Sequence, residues 1–175
     1  MKIRLQKIIA DAGLASRREA ERWIADGRVE VNGKLANKPG TTVDPVSDEI
    51  RVRGKLIPRV HVKVYLLLNK PTGCLTTTVP DARGRMTVMD LIEKAPTRVF
   101  PVGRLDFNTQ GALLLTSDGA LSKKLLGPKY RVPRTYLAKV RGVPDEKKLR
   151  RLRRGVRLDN QPTAPVEVTV HRVSG

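Results

Sequence analysis

Cysteine and histidine are nearly absent from this sequence, and so is any long apolar segment. Cys74 is the single cysteine, and His61 and His171 are the two histidines, which excludes an internal disulfide and leaves no cluster with metal-ligand spacing. No run approaches the roughly 20 apolar residues that cross a membrane, and the first residues lack the apolar centre of a secretion signal. We therefore expect no metal, no cofactor, no membrane association and a cytoplasmic location.

Aromatic residues and acidic residues are also scarce. Aromatics make up 3% of the chain, which is too few for an array of stacking platforms that would bind single strands without sequence preference. Asp and Glu number 17 against 35 Lys and Arg, for a formal net charge of +18. The cations are spread through segments with apolar periodicity, so they belong to folded surfaces. This excess indicates a polyanionic partner.

The N-terminal residues predict two short helices. Leu5, Ile8, Ile9 and Ala12 have the spacing of one face of an amphipathic helix, and Gly13 follows where a left-handed C-terminal cap would lie. Residues 16–19, Ser-Arg-Arg-Glu, have the pattern of a capping box that begins a second helix running to residue 26. Alternating residues at 29–31 and 49–53, with a tight turn at 32–33, predict a small sheet beneath these helices.

After a polar join at residues 58–63, a second core begins. The apolar run at residues 64–68 predicts a buried strand. Further strands are predicted at 99–105, 112–116, 136–140 and 166–170, and helices near 87–93, 120–126 and 146–153. Strands interleaved with helices imply an α+β domain.

Residues 2–57 resemble the S4 RNA-binding fold, most clearly in the run RLQKIIADAGLASRREAERWIADGRVEVNGK. In that family the edge of the helix-turn-helix presents basic side chains to RNA phosphates. The resemblance therefore implies phosphate contacts by Arg4, Arg17 and Arg18, with Lys34 beside the turn. Guanidinium groups suit bidentate phosphate binding. The alternative for each arginine is a solvated helix N-terminus.

Residues 70–73 (KPTG) and 103–119 (GRLDFNTQGALLLTSDG) resemble the signature of the pseudouridine synthases that modify bacterial ribosomal RNA. A bare GRLD would indicate little, because an Asp after a strand is commonly a turn or cap residue. The length of the match makes it specific. It implies that Asp106 is the catalytic carboxylate, either as a nucleophile towards C1′ of the ribose or as a base that removes a ribose proton.

Two further residues receive roles from the same resemblance. The target base has to leave its helix, and Arg104 is the candidate for RNA contact and for filling the gap, with a structural ion pair as the alternative. Tyr136 matches the tyrosine that lies against the flipped uracil, although a tyrosine in a strand is otherwise a core residue. Lys70 could be functional or simply solvated, and Asp81 and Asp118 are interpreted as turn residues.

A basic segment near the C-terminus surrounds an apolar spacing at Leu149, Leu152 and Val156. The apolar residues anchor a helix, and its cations are explained most simply as a solvated face, with phosphate contact as the alternative. These cations are Lys147, Lys148, Arg150, Arg151, Arg153, Arg154 and Arg157.

The sequence departs from the family's pattern after residue 170. Family members add a segment of the Glu-Gly-x-x-x-Gln-Val-Arg-Arg type, which supplies a strand, a basic partner for the catalytic Asp and an apolar contact. We therefore expect an S4 domain at residues 1–58 and a catalytic domain at residues 63–175 that is incomplete. The expected function is isomerisation of a specific uridine in ribosomal RNA by a monomer. The alternative is an inactive RNA-binding protein that keeps the synthase scaffold.

Overall fold

The computed structural model describes residues 2–58, 62–92 and 95–172. The chain divides into two compact units, Met1–Val132 and Pro133–Gly175. The predicted helix near residues 87–93 extends to Glu93, which lies outside the described residues.

The N-terminal part of the first unit is a pair of helices on small antiparallel sheets. One sheet has the strand order β3-β2-β5-β6, and β1 pairs with β4. The elements are β1 (Ile3–Arg4), α1 (Leu5–Asp11), α2 (Arg17–Ala25), β2 (Val29–Val31), β3 (Lys34–Leu35), β4 (Thr42–Val43), β5 (Ile50–Val52) and β6 (Lys55–Leu56).

Local signals in the sequence explain where these helices begin and end. Gly13 has a φ of +75°, its N–H donates to Ala10 O at 3.0 Å, and the next N–H donates to Ile9 O at 3.3 Å. These two bonds form the Schellman ending of α1, which favours glycine because other residues are strained at positive φ. The Ser16 hydroxyl oxygen accepts from Glu19 N at 3.1 Å and so caps α2.

The helices and sheet enclose one apolar cluster. The apolar faces of α1 and α2 pack on β2 and β5. Strand β5 alternates buried and half-buried residues, and β2 contributes buried Val29 and half-buried Val31. The buried members are Leu5, Ile9, Ala15, Ala20, Ile24, Val29, Ala36, Val43, Ile50, Val52 and Ile57.

The rest of the first unit has its own antiparallel sheet and its own core. The strand order is β7-β9-β8, and a second apolar cluster is formed by Cys74, Val88, Val99, Leu113 and Leu115. The elements are β7 (Tyr65–Lys70), β8 (Phe100–Pro101), β9 (Gly111–Thr116) and α3 (Gly119–Leu126).

The second unit is dominated by a basic helix. Its elements are α4 (Glu146–Arg154), β10 (Arg157–Leu158) and β11 (Gln161–Pro162). The Asp145 carboxylate accepts from Lys148 N at 2.7 Å and caps α4. Leu149 is buried, as its apolar spacing predicted.

Three predicted elements are wrong within the described residues. Residues 87–92 form turns, because the Asp90 carboxylate takes both the N–H and the hydroxyl of Thr87 while Val88 N donates to Leu75 O. The segments at 136–140 and 166–170 are irregular and not strands. A strand needs a partner to pair with, and an apolar sequence does not supply one. The α+β class itself, with mainly antiparallel pairing, is confirmed.

Candidate active site and RNA interface

Lys70 lies at the end of β7, opposite Gly111 at the start of β9, and its side chain is fully buried. Its Nζ donates to the backbone oxygens of Thr109 at 2.8 Å, Asp106 at 3.0 Å and Pro71 at 3.0 Å. Phe107 O lies 3.4 Å from the same atom. The ammonium group therefore holds the backbone of the loop that carries Asp106, and the solvated alternative for Lys70 is wrong.

Other contacts fix the same loop, which we call the Asp106 loop (residues 104–109). Thr76 Oγ1 donates to Leu105 O at 2.6 Å and accepts from Leu105 N at 3.2 Å. Gly73 N donates to Phe107 O at 2.8 Å, and Thr109 N donates to Asp106 O at 3.0 Å. The loop backbone is thus bonded on several sides, so a side chain on it has a defined starting position.

The Asp106 and Arg104 side chains are exposed on this fixed backbone. Arg104 lines a pocket of about 260 Å³ together with Thr76, Asp81 and Arg85. A carboxylate held on a rigid loop and open to solvent can reach a ribose that has been turned out of its helix. Their catalytic and RNA-binding roles remain predictions.

A second loop, formed by residues 77–86, rests on the Asp106 loop. Arg85 forms a two-bond ion pair with Asp81, with Nη2 to Oδ1 at 2.8 Å and Nε to Oδ2 at 3.0 Å, and its guanidinium carbon lies 5.9 Å from the Phe107 ring centroid. The Arg85 hydrogen bond, followed by backbone N–H groups, lowers the pKa of Asp81 to about 2. Asp81 is a turn residue as predicted, and this turn also supports the site.

The sequence did not reveal Thr76 and Arg85 as residues of the site, and it left two interpretations open for Lys70. One signal could have revealed Lys70: side chains at i, i+2 and i+4 of a strand share a face, so Lys70 follows Leu66 and Leu68 towards the core. Thr76 and Arg85 have no such signal, because their partners are distant in sequence or lie within an irregular loop.

The predicted phosphate-binding residues Arg4, Arg17, Arg18 and Lys34 are all exposed. Within the described ranges none of the four takes part in an ion pair. Their guanidinium and ammonium groups are therefore available to a ligand, and their role in binding RNA remains a prediction.

The start of α3 lies beside the helix-turn-helix. A Cβ added at Gly119 would lie 3.9 Å from Asp11 Oδ1 and 4.0 Å from Arg17 Nη2. At the preceding residue, Asp118 caps α3 by accepting from Ala120 N and Leu121 N. These backbone bonds, with Tyr65 and Lys63 nearby, lower the pKa of Asp118.

Tyr136 lies in the second unit, where its side chain is 62% exposed. Tyr136 is therefore not a core residue of this unit, and the alternative that it is a core tyrosine of a strand is wrong there. A role against the uracil remains a prediction.

The described residues contain no group of three His, Cys, Asp or Glu side chains that could hold a metal ion. No helix among them is long and apolar enough to cross a membrane.

The fold and site define a class of protein: a helix-turn-helix module with exposed cations, joined to an α+β domain that carries an exposed carboxylate on a loop with a fixed backbone. Comparison with family models agrees with this class. The S4 domain model matches residues 3–50, and the RNA pseudouridylate synthase model matches residues 64–172. The chain belongs to the RNA pseudouridylate synthase family.

Curated relatives are similar over nearly the whole chain. A protein of Aquifex aeolicus named "Uncharacterized RNA pseudouridine synthase" is 43% identical over 175 residues, which are 100% of this chain and 70% of that protein. The "Ribosomal large subunit pseudouridine synthase B" of Bacillus subtilis is 48% identical over 164 residues, which are 94% of this chain and 66% of that protein. The chain thus spans about two thirds of the length of these relatives.

A solved structure described as a pseudouridylate synthase has a similar fold. Its TM-score is 0.51 at 24% identity, and the match covers 93% of this chain and 70% of that chain. At this identity the likeness supports the fold alone.

Proposed function

We propose that this protein isomerises a specific uridine of ribosomal RNA to pseudouridine, with Asp106 as the catalytic carboxylate and the S4 domain binding RNA. Family membership supports the reaction class, and the name of the Bacillus relative supports ribosomal RNA as the substrate class. In the first unit the proposed functional residues are Asp106, Arg104, Arg4, Arg17, Arg18 and Lys34; in the second unit the proposed residue is Tyr136.

The reaction requires the glycosidic bond of uridine to break and a bond from C1′ to carbon 5 of the uracil to form. An ionised carboxylate can attack C1′ or remove a proton from the ribose. Arg104, two residues before Asp106 and exposed beside a pocket, would enter the helix where the base has left it. Tyr136 would offer a flat ring to the uracil.

One observation carries the proposal: a buried lysine fixes the backbone around an exposed carboxylate. Lys70 Nζ donates to Asp106 O at 3.0 Å and to Thr109 O at 2.8 Å, while the Asp106 side chain faces solvent. Burying a lysine costs free energy unless its protons are all hydrogen-bonded. A turn that only joins two strands does not need such a support.

The test is Asp106→Asn, which keeps the shape of the side chain but removes the nucleophile and base. We expect uridine isomerisation to fall at least about a hundredfold, while RNA affinity stays nearly unchanged because the binding cations lie elsewhere. Tritium release from 5-labelled uridine in ribosomal RNA measures turnover, and filter binding measures affinity.

Asp159→Asn is the matched control, because it removes one carboxylate from an exposed turn outside the proposed site. It should keep wild-type turnover. Turnover that persists in Asp106→Asn would overturn the assignment of Asp106. Binding without turnover in the wild-type chain would favour the alternative, an RNA-binding protein that keeps the synthase scaffold.

We also propose the domain bounds, the oligomeric state and the cellular location of the protein. The S4 domain would extend over residues 1–58 and the catalytic domain over residues 63–175. The two apolar clusters on either side of residue 58 support this division. The protein would act as a monomer in the cytoplasm, where ribosomal RNA is available to it.

A further inference from the structure

Helix α4 carries four cations on a single face. Lys147, Arg150, Arg151 and Arg154 occupy the i, i+3, i+4 and i+7 positions, which lie next to one another on a helix surface. All four side chains are exposed. We call this set the α4 stripe; Leu149, which is buried, lies on the opposite side of the helix.

The acidic residues near α4 do not neutralise the stripe. Asp145 Oδ2 lies 3.3 Å from Lys148 Nζ, and Glu146 Oε1 lies 2.7 Å from Arg153 Nη1. Both acids are therefore paired with cations outside the stripe. Within residues 133–172 none of the four stripe cations takes part in an ion pair.

Arg153 shows what a structural arginine does in this unit. Its Nε and Nη2 donate to Val168 O at 3.1 and 3.0 Å, and its Nη1 pairs with Glu146. Its side chain is accordingly less exposed than those of the stripe. The stripe residues have no comparable partners among the described residues of the unit, so holding the fold together does not explain them.

The helix dipole also explains only part of the stripe. Cations near the C-terminal end of a helix are stabilised by the partial negative charge there, which accounts for Arg151 and Arg154. Lys147 is the second residue of α4, at the positive end, where a cation is disfavoured. Like charges at i+3 and i+4 also repel one another. A polyanion would relieve both costs.

We propose that the α4 stripe binds the phosphate backbone of an RNA duplex and forms a second RNA-binding surface outside the S4 domain and the Asp106 loop. The stripe is about 10 Å long at 1.5 Å per residue, so it spans more than one phosphate of a strand. Three of its members are arginines, whose forked groups bind phosphate with two hydrogen bonds. This inference rests on the proposed function only in choosing RNA over other polyanions.

The composition of α4 favours a duplex over unpaired bases. Recognition of single-stranded RNA relies on aromatic side chains that stack on bases, and α4, with the sequence EKKLRRLRR, contains none. The stripe should therefore recognise the phosphate charge and the shape of the duplex, and it should bind without base preference.

The test uses the full chain with Lys147, Arg150, Arg151 and Arg154 all changed to Gln, which keeps helix propensity. A matched control changes four exposed lysines outside the stripe to Gln and alters the net charge equally; these are Lys123, Lys124, Lys129 and Lys139. Affinity for a 20-base-pair RNA duplex is measured at several salt concentrations. Circular dichroism shows whether each variant is folded.

We expect the dependence of log K on log salt concentration to become shallower by about 3 in the stripe variant and by less than about 1 in the control. The double variant Lys147→Gln with Arg151→Gln should reduce this slope by about half as much as the fourfold variant. The test therefore does not depend on the fourfold variant folding. Equal losses in the stripe and control variants, or no loss in either, would overturn the proposal.

Two further measurements distinguish RNA binding by the α4 stripe from lipid binding and from the proposed enzymatic function. If the stripe variant loses binding to phosphatidylserine vesicles but keeps the wild-type RNA salt slope, the stripe binds lipid and the proposal is wrong. Tritium release run on the same proteins tests the enzyme separately. If the wild-type chain shows no turnover but its salt slope for RNA binding depends on the stripe, the proposed function is contradicted. The inference of a second RNA-binding surface is then still supported.

Discussion

Lys70 is the residue whose environment differs most from what its sequence context suggests. Lysine is almost never fully buried unless it is paired. Its partners here are the carbonyl oxygen of the next residue, Pro71, and those of a chain segment 36 to 39 residues later. The sequence shows that a lysine ends β7. It does not show the carbonyl groups, because they converge only when β7 and β9 pair.

Lys70→Met should destabilise the protein and the Asp106 loop together. Methionine fills a similar volume but leaves several buried carbonyl oxygens without a donor, and we expect a loss of about 3 kcal/mol in the free energy of unfolding. Urea denaturation measures the loss. Lys123→Met, at an exposed position on α3, should change stability by less than about 0.5 kcal/mol. An equally small effect at Lys70 would show that its hydrogen bonds are dispensable.

Helices and strands differed in how far the sequence determined them. Helices α1, α2, α3 and α4 were all predicted to within a few residues, since apolar spacing and capping side chains lie in or beside the helix itself. The predicted helix at 87–93 is the exception, because its described residues form turns. The predicted strand at 99–105 is reduced to β8, because Gly103 has a φ of +83° and Leu105 bonds to Thr76. Pairing partners and distant side chains decide such segments, and a single sequence does not reveal them.

The loop of residues 77–86 should respond to acid through Asp81. Its pKa is lowered from 3.8 to about 2 by Arg85, so the folded state favours the ionised form. The resulting stability is fully present above pH 3.8 and is lost as the pH falls towards 2. We expect the difference in unfolding free energy between wild type and Asp81→Asn to be constant above that range and to shrink below it.

Arg85→Gln is the matching variant for this loop, because it removes the same ion pair from the other side. Thermal unfolding followed from pH 5 to pH 2 should show a reduced acid dependence, but a smaller reduction than in Asp81→Asn, because the N–H groups of Arg83 and Arg85 still bond the carboxylate. A wild-type protein whose advantage over both variants stays unchanged down to pH 2 would contradict the role of the pair.

At the scale of the first unit, the S4 helices and the synthase part of the chain meet at a close contact. A Cβ at Gly13 would overlap Thr97 Oγ1, so glycine satisfies both the positive φ that ends α1 and the lack of space. The fold class, the two apolar clusters and the family were all predictable from the sequence. This contact was not, because Gly13 and Thr97 are far apart in the chain and neither belongs to a motif that links them.

The S4 domain should contribute affinity by neutralising phosphates. Arg17→Ala with Arg18→Ala removes two exposed cations at the start of α2, so the salt slope for a ribosomal RNA fragment should become shallower by about 2. Lys38→Ala with Lys55→Ala removes the same charge from other exposed positions of the domain. The two double variants would behave alike if only net charge mattered, and an unchanged slope for the arginine pair would count against the assignment.

The burial of Lys70 also makes this residue a chemical reporter of the native state. Amine-acylating reagents modify lysines that solvent can reach, and Lys70 has no exposed surface, whereas Lys123 and Lys129 are open to solvent. In a labelling time course followed by mass spectrometry, the exposed lysines should acylate first. Lys70 should react only when β7 and the Asp106 loop separate. Its acylation rate would therefore give the opening frequency of the proposed catalytic loop in a protein that carries no probe.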